Sequence, residues 1–291
     1  MNSKIARLGL SLVVALATLI PLSAQNAAPK LELPAPSPAS TLKQRVGVTD
    51  IEIVYSRPGM KGRKIFGGLE PWGTVWRAGA NNATKVTFST PVKFGGQDVP
   101  AGTYGLFAKI GEAEWNVILT KAPNQWGSYA YNPKDDIANV AVKPVKLADA
   151  VETFTIDIND IRDGSATLNL IWEKTRVPVK IEIDTIGMLV PKLEAVLASD
   201  EPKKPYVPAA MFYLDNNLDL KKALAWMDAA IAEQPNAFYF VYRKARVQAA
   251  LGDKAGAIAT AKASMEATKK AGGAVGNEYV RLNEALIASL Q

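Results

Sequence analysis

VETFTIDINDIRDGSATLNLIWE, residues 151–173, decides the fold class. In its first half Phe154, Ile156 and Ile158 alternate with polar residues; in its second half Ala166, Leu168, Leu170 and Trp172 fall together in the same way. A period of two puts each set on one face of a strand. Asp163-Gly164 between them is a hairpin signal. The acids of DINDIRDGS do not form a calcium loop, because Ile161 stands where an oxygen ligand is needed once Asp163-Gly164 is aligned with that motif.

The pattern continues on both sides. Upstream, TDIEIVYS carries Ile51, Ile53 and Tyr55 on one face, and ATKVTFST, VKFGGQDV, TYGLFAKI and EWNVILT follow, each bounded by Gly, Pro or Asn. Gly95-Gly96 marks a tight hairpin, and VPVKIEI closes the series downstream. Short strands with turn residues between them predict an antiparallel all-β sandwich or barrel over residues 41–186.

Near Ile186 the period becomes helical. A short helix and a charged, Pro-containing connection occupy residues 187–204, and residues 205–291 form an α-helical array that repeats. Asp219 and Asp253, Ala223 and Ala257, and Ala230 and Ser264 are each 34 residues apart, with small residues where paired helices approach. This resembles the tetratricopeptide repeat. The second copy matches better, with Ala245, Leu251-Gly252-Asp253, Ala257 and Ala261 in the family's positions, though Lys269 stands where a closing Pro is expected. The first copy departs at Met211 and Leu214, and VGNEYVRLNEALIASL reads as a terminal capping helix. The resemblance implies an inner groove carrying Phe212, Asp215, Asn216, Tyr239, Tyr242 and Arg246, aromatic rings with an Arg that suit a peptide. The same side chains could equally pack against the β-domain.

The chain opens MNSKIARLGLSLVVALATLIPLSAQ: a basic start at Lys4 and Arg7, an apolar run, then Ser23-Ala24. That layout predicts a secretory signal peptide over residues 1–24, cleaved after Ala24. A Pro- and Ala-rich leader fills residues 25–40. No later segment is apolar enough to span a bilayer. The expected address is the bacterial envelope, periplasmic or secreted. Losing residues 1–24 removes two bases and no acids and takes the formal charge from +6 to +4, too mild and too dispersed for nucleic-acid binding.

Among 291 residues there is no His and no Cys. Ser-His-Asp and Cys-His mechanisms are excluded, as are histidine- or cysteine-ligated metals. No cofactor or metal is called for, and the residue set points to binding rather than catalysis.

Two constellations in the β-domain are candidate ligand sites. YSRPGMKGRKIFGGLEPWGTVWRAGAN, residues 55–81, holds Arg57, Lys61, Arg63, Trp76, Arg77 and Asn81 among recurrent glycines. Arginine forks and backbone N–H groups suit a phosphate, sulfate or carboxylate. No Walker spacing is present. In the competing reading the glycines serve a long crossing loop and the arginines bond to Asp135, Asp136 or loop carbonyls. QWGSYAYNPKDD places Trp126, Tyr129 and Tyr131 near Asp135 and Asp136, rings beside carboxylates, which suits a glycan. Adjacent Asp135 and Asp136 point to opposite faces of a strand and are poor partners for glycoside hydrolysis.

From VGVTDIEIVYSRPGMKGRKIFGGLEPWGTVWRAGANNATKVTFS through VPAGTYGLF, EWNVIL and QWGSYAYNPKDD to LNLIWE, the β-domain resembles the family known as domain of unknown function 2911. The resemblance implies an exported bacterial protein, sometimes with C-terminal helical repeats, and implies no activity. Asn139 departs from it where an arginine is expected, which weakens any shared charged site there. Two functions follow: a non-enzymatic binding protein that holds an envelope protein or peptide through its repeats, or a receptor or carboxylate-based enzyme for a glycan or anionic small molecule at the β-domain loops.

Overall fold

The computed structural model describes residues 33–291, so the predicted signal peptide and most of the leader lie outside the described residues. Residues 37–291 form one compact unit: an antiparallel β-domain followed by six helices. The strands are β1 (Ala39–Val46), β2 (Thr49–Ser56), β3 (Val75–Trp76), β4 (Thr84–Phe88), β5 (Val92–Phe94), β6 (Gln97–Val99), β7 (Gly102–Lys109), β8 (Trp115–Thr120), β9 (Asp136–Val142), β10 (Val145–Arg162) and β11 (Ser165–Glu182). The first sheet runs β1-β2-β4-β7-β8-β9, with β3 extending the β4 edge along β7; the second runs β10-β11-β5-β6. Two sheets share one core, so the domain is a sandwich.

The alternating residues supply that core. Ile51, Ile53, Val86 and Phe88 of the first sheet meet Phe154, Ile156, Leu168, Leu170 and Trp172 of the second, all buried. Between β5 and β6, Gly95 (φ +56°) and Gly96 (φ +85°) take the left-handed pair of conformations a two-residue hairpin requires. Val177 to Ile183 do not form a separate strand. All but Ile183 continue β11 past Glu173, which adopts φ +53°, and a bulge in β10 absorbs the irregularity: the register passes from Lys146↔Thr175 to Val151↔Glu173.

After β2 the chain leaves the first sheet and crosses to the second. Phe154 donates its backbone N–H to Pro58 and Met60 donates to Glu152, so residues 58–60 dock on β10. The Tyr55 hydroxyl spans the same gap, accepting from the Ile156 N–H at 3.1 Å while it faces the Ile156 carbonyl at 3.3 Å. Ile65 and Phe66 then plug the core, with Phe66 edge-on to Trp76, Trp115 and Trp172.

The helices are α1 (Thr185–Ala198), α2 (Tyr206–Asp215), α3 (Leu220–Glu233), α4 (Phe238–Ala250), α5 (Lys254–Ala271) and α6 (Gly273–Leu290). Successive helices from α2 onward pack as neighbours, and α2, α4 and α6 also touch across the pairs. The equivalent positions Ala223 and Ala257, and Ala230 and Ser264, are all buried. Small side chains there let the helix axes approach closely. Asp219 caps α3 through the Lys221 and Lys222 N–H groups, and Asp253 caps α5 through that of Gly256 at 2.8 Å. Asp253→Ala should cost about 1 kcal/mol in urea unfolding of the helical part, with Asp253→Asn recovering most of it. Glu194 ties α1 to this array, accepting from Tyr213 and pairing with Lys222. Burial and that bond push the Tyr213 phenol up to about 12. No helix among the described residues is long and apolar enough to cross a membrane.

Candidate functional site

The arginine ribbon does not converge on a ligand. Arg57 donates through Nε to the Phe154 carbonyl at 3.0 Å and through its terminal nitrogen to Thr155 Oγ1 at 2.8 Å. It staples the crossing chain to β10. Arg63 spends the same groups on the Met60 and Gly59 carbonyls, 2.9 and 2.7 Å away. Arg57 thus bonds a strand carbonyl and Arg63 two carbonyls of the crossing loop, Met60's being shared with the Arg63 backbone N–H. Lys61 receives Glu152 Oε1 at its backbone N–H and leaves its side chain in solvent. Trp76 is only 1% exposed, stacks on Trp172 at 5.9 Å and donates to the Gly79 carbonyl. Its ring offers no face to a ligand.

Arg77 is different. Its Nε is buried with no hydrogen-bond partner, and its charge acts on half-buried Glu70. Burial raises the Glu70 carboxyl to about 7, and Arg77 only partly offsets that.

The second constellation is assembled by two loops. Ala83 donates to the Gln125 carbonyl at 2.8 Å, Gly127 donates to that of Asn81 at 2.9 Å, and Asn82 bridges Trp126. Asn81, at φ +60°, turns its amide toward Ser56 Oγ. This holds Trp126 and Tyr129 ring over ring, centroids 5.8 Å apart and planes 20° apart, although they are 67% and 83% exposed. Gly127 makes the stack possible: it sits at φ +70°, and a Cβ there would meet the Tyr129 ring at 2.6 Å. Below, Tyr131 packs on Phe107 and donates its hydroxyl to Asp136 Oδ2 at 2.8 Å. Burial raises the Asp136 carboxyl, and its Oδ1 is buried without a partner. Asp135 ends a 3-10 turn, and its carbonyl accepts from the Lys121 N–H and the Thr120 hydroxyl; among the described residues the arginine ion pairs are Arg45–Asp50 and Arg246–Asp215, not a pair with Asp135. Asn139 accepts from Asn116 and exchanges hydrogen bonds with Gln97 in place of a charged contact.

The third constellation lies on the helices. Arg246 of α4 reaches Asp215 of α2 at 3.4 Å, with both side chains substantially exposed. Tyr239 and Tyr242 meet Tyr279 of α6, at 6.4 and 5.5 Å between centroids, and Arg243 lies over the Tyr239 ring. Asn216 folds back on the Phe212 carbonyl of its own helix. The aromatic face therefore spans the first helix of successive pairs. Tyr279 carries no sequence signal: α6 reads as a capping helix, and the residue 34 positions earlier is Ala245, small and fully buried.

A hollow of about 720 Å³ beside the β5–β6 hairpin holds no free polar set: Lys93 pairs with Asp98, Glu182 with Lys180, and Asp184 caps α1. Residues 37–181 match the sequence model of a family described as "Protein of unknown function (DUF2911)". No curated protein and no solved structure matches the chain.

Proposed function

We propose that a β-sandwich matching this family serves as the platform of a non-enzymatic binding protein of the bacterial envelope, exported by residues 1–24. Its helical array is of tetratricopeptide type and holds an extended peptide segment of a protein partner along α2, α4 and α6. The observation that carries this reading is the face shared by Tyr239, Tyr242, Tyr279 and the Asp215–Arg246 pair. Aromatic rings on a rigid helical surface bury area at low entropic cost, and an Arg among them orients backbone or carboxylate groups. The double variant Tyr242→Ala, Tyr279→Ala should lose at least about tenfold in partner capture from envelope extract while keeping its helical circular dichroism. Undiminished capture by the folded variant would move the interface elsewhere.

The Trp126–Tyr129 stack supports a second reading. An exposed, near-parallel ring stack fixed by backbone bonds presents an outer ring face to the apolar face of a sugar, with Asn81 beside it for hydroxyls. Trp126→Ala should weaken binding to a responsive saccharide by about tenfold, read as loss of tryptophan quenching. A saccharide panel that leaves the fluorescence unchanged would remove this reading.

A further inference from the structure

A groove of about 530 Å³ opens at the other end of the sandwich from the Trp126 loop, lined by Lys64, Trp72, Glu112, Lys146, Lys174 and the start of β10. Glu112 lies in the turn before β8 and the Trp126 loop follows its end. The six residues of β8 (Trp115–Thr120) separate the two places by roughly 20 Å at the usual strand rise. They are independent surfaces.

Three ammonium groups line this groove, and among the described residues none of the three has a carboxylate at ion-pair distance. Elsewhere Lys43, Lys93, Lys180, Lys222, Lys244 and Lys269 each pair with an acid, and what sets Lys64, Lys146 and Lys174 apart is that they share one concavity. The acid next to Lys174 is otherwise occupied, since Glu173 lies at φ +53° and its carboxylate faces the Phe66 N–H at 3.4 Å. The bulge between Lys146 and Val151 opens β10 here, and the crossing loop supplies Lys64 and Trp72 from the other side. Trp72 is 43% exposed, whereas Trp115, which also lines the groove, is 1% exposed. Three like charges gathered in a concavity against a single acid, Glu112, repel one another, and an anion relieves that repulsion. Glu112 at the rim disfavours a bare anion and can accept a hydroxyl proton.

We propose that this groove binds an acidic saccharide chain, its carboxylate or sulfate groups on Lys64, Lys146 and Lys174 and one sugar ring against the Trp72 indole. Lysine provides point charges without a fixed fork, which tolerates either acid group.

The test uses the mature full-length protein. Heparin-derived hexasaccharide carries sulfate, oligogalacturonate carries carboxylate, and maltohexaose is the neutral control. Titration calorimetry should give saturable binding of one or both acidic chains, weakening as salt rises, with at least about tenfold weaker maltohexaose. Lys64→Gln, Lys146→Gln and Lys174→Gln together should weaken binding by at least about twentyfold. Trp72→Ala should weaken it by about fivefold. All three lysines are exposed, so the triple variant should keep the wild-type melting temperature. If Trp72→Ala fails to fold, Trp72→Phe substitutes for it and should bind between the two. Wild-type affinity in the triple variant, equal binding of maltohexaose, or no saturable binding would overturn the proposal. So would displacement of the saccharide by low-millimolar inorganic phosphate, which would mark a plain anion site. All titrations are repeated in a Trp126→Ala background, which removes the other sugar surface, and loss of the acidic-chain binding in that background would also overturn the proposal.

Discussion

Trp76→Ala should destabilise the β-domain by about 3–5 kcal/mol, the range for emptying a large aromatic site in a packed core. The indole is 1% exposed and sits at the centre of an aromatic cluster. Phe154 is 4.9 Å away edge-on, Phe66 and Trp115 lie at 6.0 and 6.5 Å, and Trp172 stacks at 5.9 Å. These rings come from β3, β8, β10, β11 and the crossing loop, so the lost volume cannot be refilled by one element moving. The truncation also leaves the Gly79 carbonyl without its 3.1 Å donor. Trp76→Phe keeps part of the packing and should cost about half as much. Urea unfolding followed by far-ultraviolet circular dichroism checks both. A loss below about 1 kcal/mol for Trp76→Ala would show that the ring is not the keystone of the inter-sheet core.

Glu70→Gln should stabilise the protein at pH 8 and leave it nearly unchanged at pH 4. The carboxyl is half-buried, and burial lifts it to about 7 from an ordinary 4.5. Below the ordinary value both folded and unfolded chains hold the proton, and the group contributes no pH dependence. Between about 4.5 and 7 the unfolded chain has released it while the folded chain has not. The folded state then binds more protons, and stability falls with rising pH until it levels off above 7. The full shift corresponds to a loss of about 3 kcal/mol, and partial solvation makes about 2 a better expectation. Gln carries no charge to bury, so the variant's stability should be flat across this window. Paired urea titrations at pH 5, 6, 7 and 8 read the difference directly. Parallel profiles for the two proteins would show that Glu70 ionises normally and that its burial is relieved by solvent.

Much of the fold is legible in the residues because burial follows alternation. Phe154, Ile156 and Ile158, and Leu168, Leu170 and Trp172, all point inward as their period of two requires. The Asp219 and Asp253 caps stand at the spacing that the repeat predicts. The elements that escaped have physical reasons. β1 begins inside the expected leader, and its ASTLKQRV pattern is mostly exposed or half-buried edge strand. β9 buries only Ala138 and Val140, too little apolar surface to announce a strand. Glu173, Lys174 and Thr175 read as a break, yet a bulge carries β11 through them.

The sites were harder to read. Arg57 looks available until its partner, Phe154, is seen 97 residues away across the sandwich. Trp72 and Trp76 are four residues apart in a loop without a regular period, so nothing local says that one ring is exposed and the other buried. Lys64, Lys146 and Lys174 are far apart in sequence and meet only because a crossing loop and a bulged hairpin share one end of the sandwich. Trp126 and Tyr129 are three residues apart in sequence, so their meeting is local, held by a turn at Gly127 (φ +70°).

The most direct test of the helical face is site-specific photo-crosslinking in cells. A photoreactive phenylalanine analogue would be placed at position 242 in one protein and at position 129 in another. Crosslinking from position 242 to one discrete envelope protein, lost when Arg246 is also changed to Ala, is the predicted result. No adduct from position 242, or the same adduct pattern from position 129, would contradict a partner held by α2, α4 and α6.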